Sequence, residues 1–351
     1  MERWITTSEA ARRLGVRRET LYAYVSRGVL VSRRRPGQLE SLFDRTQVES
    51  LAAAKGAGNR AGERLLRFRG VASRVSAIHD GRLSYRGVDI DEVVATRAFR
   101  EAALLVIGAD DPEPAPLPPL DVARLRGARL ERRIPLAVAK LAASTDPITA
   151  PERIPGVMCA LGPAVDALLP EIPLDHPWID AASTCLIDNG LAASAMAARV
   201  AASTRAGVLD ALAAGLGALA GPLHGAAARS AHALIARVRD GADPHEAVGD
   251  HGAPGFGHVV YDDDPRAVVL LRLLARDRPD ARVLPALEAL RRATRRPLNV
   301  DAVLGAIAVE LELPAATGEV LFQRARLIGM AAHVAEEYGE APLRWRGRAD
   351  G

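Results

Sequence analysis

Cysteine is almost missing. Only Cys159 and Cys185 occur in 351 residues, too few for a disulfide framework or a cysteine-based metal site, so they read as ordinary buried thiols without a redox role. No metal site is expected. No apolar run approaches the ~18 uninterrupted residues a membrane helix needs, since Ala267–Ala275 is broken by Arg272. The chain opens on charged Glu2 and Arg3 rather than a signal peptide, and the expected location is the cytoplasm, away from membranes. Lysine is also scarce: Lys55 and Lys140 stand against 44 arginines. Alternating β-branched stretches are few, which argues against a large sheet. What is present, 49% hydrophobic and 25% charged residues, excludes disorder and collagen-like repeats and suffices for two or more compact units.

The charge is unevenly placed. Residues 1–69 hold fifteen Lys/Arg and seven Asp/Glu, a net of +8, whereas residues 70–351 hold 31 basic and 36 acidic residues, a net of −5. A compact basic segment on a slightly acidic body is the footprint of a small nucleic-acid-binding module, the alternative being a solvated arginine-rich tail. Thr6-Thr7-Ser8-Glu9 has capping-box spacing ahead of Ala10, Ala11 and Leu14, and Gly15 separates this helix from a second one over residues 18–25. Val31–Arg45 reads as two short strands around Pro36-Gly37, followed by a helix from Gln47 to Ala54. The order resembles the winged helix-turn-helix of the MerR and excisionase families over residues 1–55. That resemblance implies Arg17, Arg18, Tyr22, Arg33, Arg34 and Arg35 as the DNA-contacting set; such modules also serve as protein-interaction domains. Residues 56–69, rich in glycine and small residues at their start, read as a flexible linker.

Beyond the linker, residues 75–87 suggest a hairpin with Asp80-Gly81 at its turn. The rest reads as an all-α body, its helices interrupted near 110–119, 145–155, 170–177, 241–244 and 278–280. The Ala- and Gly-rich stretches 192–200 and 208–220 allow close helix approach, inside one core or across a dimer seam. His224 in Gly-Pro-Leu-His-Gly and His258 in Gly-Phe-Gly-His sit among glycines, where ligand contact is more plausible than on an apolar helix face. Asn299-Val300-Asp301 opens a helix, so Asp301 is expected near helix-terminal amides that keep it ionised, as a base or simply as part of a cap.

Taken together, GPLHG, GFGH, Asp264-Pro265-Arg266-Ala267, Asn299-Val300-Asp301, Arg326-Leu327-Ile328-Gly329 and Leu343-Arg344-Trp345-Arg346 occur in the order found in citrate synthases, and Asp80–Ile90 resembles that family's entry segment. The resemblance covers residues 70–351. It implies a mainly α, two-domain fold with a large domain over about 70–224 and 314–351 and a small domain over about 225–313. It also implies a dimer, homomeric or paired with another synthase subunit. The implied activity is an acyltransferase of the tricarboxylic acid cycle, joining acetyl-CoA to oxaloacetate with release of citrate and CoA. No cofactor is needed, the CoA thioester being a substrate. By the same resemblance Asp301 takes the methyl proton, His224 stabilises the enolate, His258 polarises the ketone, and Arg266, Arg326 and Arg344 hold the carboxylates, the last across the dimer.

Two departures from the family pattern stand out. Asn189 occupies the place of a substrate-contacting histidine, which an amide replaces as a donor but not as a cation. The segment between His258 and Arg266 is one residue short and acidic at Asp262, Asp263 and Asp264, where the family carries a basic residue for CoA phosphate. Arg295 and Arg296, with Arg291 and Arg292, are the candidates to compensate. The alternatives are a 2-methylcitrate synthase, a DNA-binding regulator whose body senses metabolites, and an inactive partner subunit.

Overall fold

The computed structural model describes residues 4–14, 16, 21, 30, 32–34, 41–45, 47–48, 71–248, 253–258 and 260–345. They belong to two compact units, Met1–Val71 and Ala72–Gly351. In the first, β1 (Trp4–Thr6) leads directly into α1 (Thr7–Leu14), and β2 (Ser32–Arg34) and β3 (Ser41–Asp44) follow. The strands form an antiparallel sheet in the order β1-β3-β2. Thr6 Oγ1 accepts the Glu9 amide at 3.2 Å, the cap expected from the spacing. The Glu9 carboxylate turns instead to Arg12 and Arg13, its neighbours one helical turn on. Ile5, Ala10, Leu14, Leu21, Leu30, Phe43 and Val48 make a small core. β1 escaped the sequence reading because three residues are too few to show an alternation. Of the expected second helix only Leu21 is described, and it is helical; Arg17, Arg18 and Tyr22 lie outside the described residues, as do Arg35 and the 56–69 linker. Arg33 is exposed on β2 with its guanidinium 3.9 Å from the Trp4 ring centroid, and Arg34 pairs with Ser41 in the sheet.

The second unit opens with a hairpin of β4 (Ser76–His79) and β5 (Arg82–Tyr85). Its turn holds Asp80 and Gly81 at φ 50° and 75°, the left-handed pair that an Asp-Gly turn supplies. β6 (Val88–Asp89) adds a short third strand, and the Asp89 side chain caps α2 (Ile90–Thr96). Helices follow: α3 (Phe99–Ile107), α4 (Val122–Arg126), α5 (Leu130–Ala143), α6 (Ile154–Asp166), α7 (Pro177–Leu186), α8 (Ala193–Ser203), α9 (Val208–Leu219) and α10 (Ala227–Arg239). The series ends with α11 (Pro244–Val248), α12 (Pro265–Asp277), α13 (Val283–Thr294), α14 (Val300–Glu310) and α15 (Thr317–Tyr338). The breaks expected from the sequence fall between consecutive helices to within two residues, because each combines proline or glycine with polar residues.

α15 is the spine. It is buried on nearly every side and packs against α3, α5, α6, α7, α8 and α9, as a helix that is apolar around its circumference must. Interrupting that apolar surface is a stripe of buried polar residues, Glu319, Gln323, Arg326, His333 and Glu337, at three-, four- and seven-residue spacing. One helix face therefore delivers Arg326 and His333 to the interior. The Ala- and Gly-rich stretches form α8 and α9, which pack on each other and on α15. Gly329 lets α15 pass the segment before Asn189: a Cβ there would stand 2.2 Å from the Ile187 carbonyl oxygen.

Candidate active site

Three loop-to-helix junctions converge. At the first, Asp264 caps α12: its Oδ1 accepts the Arg266 amide at 3.1 Å, and Pro265 supplies the preset first helical residue. Asp264 Oδ2 also accepts the Val300 amide, the first of α14, at 2.9 Å, so one buried carboxylate joins the N-termini of α12 and α14. It holds Arg266 as well, through Nε at 2.9 Å and Nη2 at 2.8 Å. The guanidinium next to it and these amides keep Asp264 below the usual carboxylate range despite burial.

The Gly-Phe-Gly-His loop is pinned to the same place. Gly255 carbonyl accepts the Asn299 amide at 2.9 Å, Asn299 Nδ2 donates to Gly257 carbonyl at 2.8 Å, and Phe256 bridges to Leu298. Gly255 has φ 89°, and a Cβ on it would lie 2.8 Å from Ala302 Cα, so only glycine fits. His258 Nδ1 accepts the amides of Val260 (3.0 Å) and Tyr261 (3.3 Å). An imidazole nitrogen that accepts twice carries no proton, so the ring is the Nε2–H tautomer, and Nε2 faces Arg266 Nη2 at 3.5 Å. Burial and then Arg266 lower the pKa of His258, which keeps the ring neutral.

At the second junction, His224 follows α9. Its Nε2 lies 3.0 Å from Ser194 Oγ, and its ring meets Phe322 edge-on at 5.6 Å. Ser194 Oγ also takes Arg326 Nη1 at 3.5 Å. With Arg326 donating to Ser194 Oγ, the hydroxyl proton is available to His224 Nε2, an arrangement that puts the ring hydrogen on Nδ1. Burial first, then Arg326 and Arg266, depress the pKa of His224 to about 4, so the ring is neutral at pH 7. Arg326 is fully buried, donates Nε to the Leu186 carbonyl at 3.1 Å, and leaves Nη2 buried without a partner.

Asn189 lies at the third. Its Oδ1 accepts the Tyr261 hydroxyl at 2.5 Å, and the Tyr261 ring sits 4.7 Å from the His258 ring and 5.9 Å from the Arg266 guanidinium carbon. Asp188, next to it, is buried and bonded to His333 Nε2 at 3.1 Å and to the Ser76 hydroxyl. Despite burial, His333 is pushed up by the Asp188 carboxylate, then by Glu336, and Asp188 is held down by His333.

Asp301 corrects one expectation. It is the second residue of α14, yet the helix-terminal amides do not hold its carboxylate ionised: the Val300 amide goes to Asp264 and the Asp301 amide to Asn299 Oδ1 at 3.0 Å. Its Oδ1 is shielded from solvent without a hydrogen-bond partner. Burial dominates, and the carboxyl is pushed up to about 7, Arg266 opposing the rise and Asp264 adding to it.

Arg344 stands apart from these residues. Its Nε and Nη2 reach Glu337 at 2.7 and 2.6 Å, alongside Trp345 Nε1 at 2.9 Å. Arg295, in left-handed conformation at the end of α13, and Arg296 line a groove of about 500 Å³ together with Asp262, Asp263 and Arg291. Arg291 and Arg292 are both engaged by Glu288. Ser194, Tyr261 and the Asp188–His333 pair were not singled out in the sequence, and Asp264 was read only as part of a motif and of an acidic segment, not as the partner of Arg266. For Asp264, the capping residue before Pro265 was a readable signal; the others meet their partners across 30 to 145 positions and left none.

Residues 170–347 match the family description "Citrate synthase, C-terminal domain". Among curated relatives, citrate synthase of Saccharolobus solfataricus is 32% identical over 189 residues, covering 49% of this chain and 50% of that one. 2-Methylcitrate synthase of Shewanella oneidensis is 32% identical over 158 residues, 41% of this chain and 42% of the relative. The chain spans about half the length of the curated relatives it matches. Among solved structures, the ternary complex of Thermoplasma acidophilum citrate synthase with carboxymethyl coenzyme A and oxaloacetate shares the fold at TM-score 0.68 and 21% identity, over 80% of this chain and 93% of that one.

Proposed function

Because the chain belongs to the citrate synthase family, we propose that its second unit joins the acyl group of a short acyl-CoA, acetyl-CoA in the first place, to the ketone carbon of a 2-keto acid of the oxaloacetate class. Water then hydrolyses the thioester and CoA leaves as its thiol. The observation that carries this reading is Asp301: a shielded, unpartnered carboxylate oxygen with a pKa of about 7, in a unit whose His224 and His258 are both held neutral. A thioester methyl is a very weak acid, so a base near neutrality needs help from a donor aimed at the thioester oxygen. His224 supplies that donor through Nδ1–H, held in its tautomer by Ser194. The new carbon–carbon bond puts negative charge on the ketone oxygen, and a hydrogen bond from His258 Nε2–H stabilises it. Arg266 and Arg326 hold carboxylate, and Arg295 and Arg296 meet the CoA phosphates. Arg344 reaches the site of a second copy in a dimer.

Thiol release from acetyl-CoA or propionyl-CoA, with oxaloacetate or another 2-keto acid and without any, tests the reading. Release that depends on the keto acid and disappears in Asp301→Ala supports it; no release with any pair refutes it. The first unit we assign to DNA contact through its +8 charge, with exposed Arg33 on β2 among the contacts. Binding of the full chain to duplex DNA that weakens steeply with salt supports that assignment, and no binding at low salt removes it.

A further inference from the structure

We propose that Tyr261 is a positioning residue: its hydroxyl turns the Asn189 side chain so that the amide nitrogen, a donor, is the end left for an oxygen of the keto acid. This rests on the condensation reading above and adds a residue to it.

The backbone at position 189 has little freedom. Ser76 Oγ donates to Asp188 and accepts the Gly190 amide at 2.8 Å, so one hydroxyl fixes both neighbours of Asn189. The Tyr85 hydroxyl donates to the Asp188 carbonyl at 3.2 Å, and Gly190 takes the left-handed φ of 66° that the turn requires. What these contacts leave undecided is the Asn189 amide itself. Its two ends have nearly the same size and opposite polarity, the oxygen accepting and the nitrogen donating.

Tyr261 decides between them. At 2.5 Å its contact with Oδ1 has the length of an O–H···O bond and is shorter than N–H···O bonds run. The tyrosine is 4% exposed, and burial, the largest influence on it, pushes the phenol above its usual range, so the hydroxyl keeps the proton it donates. Among the described residues Asn189 Nδ2 then has no partner, and the residue is half-buried. The same tyrosine acts on His258: its backbone amide donates to Nδ1 at 3.3 Å and helps to keep the ring hydrogen on Nε2. Its ring lies 4.7 Å from His258 and 5.9 Å from the Arg266 guanidinium carbon. Main chain and side chain of one residue thus leave a donor on each of two neighbours. A keto acid at neutral pH offers only acceptor oxygens, so the opposite orientation of Asn189 would set oxygen against oxygen.

The test is thiol release by the full chain from acetyl-CoA and freshly dissolved oxaloacetate at pH 8, together with calorimetric titration of oxaloacetate. Wild type is compared with Tyr261→Phe, Asn189→Ala, the two combined, and Asn189→Asp, and thermal melts check that each is folded. Tyr261→Phe keeps the ring and the backbone bond to His258. It should raise KM for oxaloacetate about 3- to 10-fold, the worth of one neutral hydrogen bond, with a smaller change in kcat and none in KM for acetyl-CoA. Added to Asn189→Ala, the same substitution should change KM by less than about twofold, because the group it orients is gone. Asn189→Asp keeps the shape and the tyrosine bond but presents an acceptor, so it should weaken oxaloacetate by roughly tenfold beyond Asn189→Ala. An unchanged KM in Tyr261→Phe overturns the proposal. Effects that multiply in the combined variant would make Tyr261 a packing residue, and Asn189→Asp binding as tightly as Asn189→Ala would mean that Nδ2 does not meet the keto acid; either result overturns it too. Oxaloacetate binding with these same ratios but without thiol release supports the positioning and refutes the condensation. Neither binding nor release at millimolar concentration overturns both.

Discussion

Replacing Asp301 by asparagine should make the protein more stable and catalytically inert, and the gain should depend on pH. In the folded chain burial holds this carboxyl up at about 7, against an ordinary value of 3.8. Between those two pH values the native state keeps a proton that the unfolded chain has released. Stability therefore falls as pH rises from about 4 to about 7. A gap of ~3 units at about 1.4 kcal/mol per unit amounts to roughly 4 kcal/mol of destabilisation above pH 7. Asp301→Asn keeps the shape and removes the charge, so it should recover much of that amount at pH 8 and little near pH 4.5. For a unit of this size the shift in Tm at pH 8 is roughly 10 °C. Thermal unfolding followed by circular dichroism at the two pH values measures it, and thiol release should show turnover down by ~100-fold or more. A Tm difference that is the same at both pH values, or a wild type that outlasts the variant at pH 8, would refute a buried, unpaired carboxylate.

The same carboxyl should shape the rate. With the base titrating at about 7, kcat/KM should climb through neutrality and level off above it; a flat profile from pH 5.5 to 8 would exclude Asp301 as the proton acceptor. His333→Gln leaves Asp188 charged in the interior without its cationic partner, a loss of about 3–5 kcal/mol in urea titrations at pH 6. Because the pKa of His333 is raised, its stabilisation is complete below its unfolded value of 6.5 and disappears as pH rises through the higher folded value. The gap between wild type and variant should therefore shrink at alkaline pH, and a constant gap would mean that His333 is not charged. Gly255→Ala combines a left-handed backbone with a 2.8 Å approach to Ala302. It should cost at least ~1–3 kcal/mol and lower kcat through displacement of the α14 N-terminus, whereas unchanged denaturant midpoints would show that the loop can move freely.

Much of the local structure was legible in the sequence. Asp80-Gly81 announced its turn because few other pairs tolerate φ of 50° and 75° in succession. Thr6 announced its cap because the Glu9 amide needs an acceptor there. His224, His258 and Asp301 could be chosen from glycine context and order along the chain. Their protonation states could not. Local position suggested a fully ionised Asp301, and tertiary burial raised its pKa to about 7. Tyr261 and Asn189 are 72 positions apart, so nothing in either segment foretold their hydrogen bond.

Covalent order alone determined the helices, the turns, the all-α character of the body and the residue types available for chemistry, because these follow from spacing and backbone preference within a few positions. Only the tertiary structure decided which charges are paired and which are left free. The energy of a carboxylate or guanidinium depends on how much water and which opposite charges surround it, and those neighbours arrive from elsewhere in the chain. That is why Arg326 keeps an unpartnered nitrogen, why His333 meets Asp188 across 145 positions, and why Asp301 titrates near neutrality.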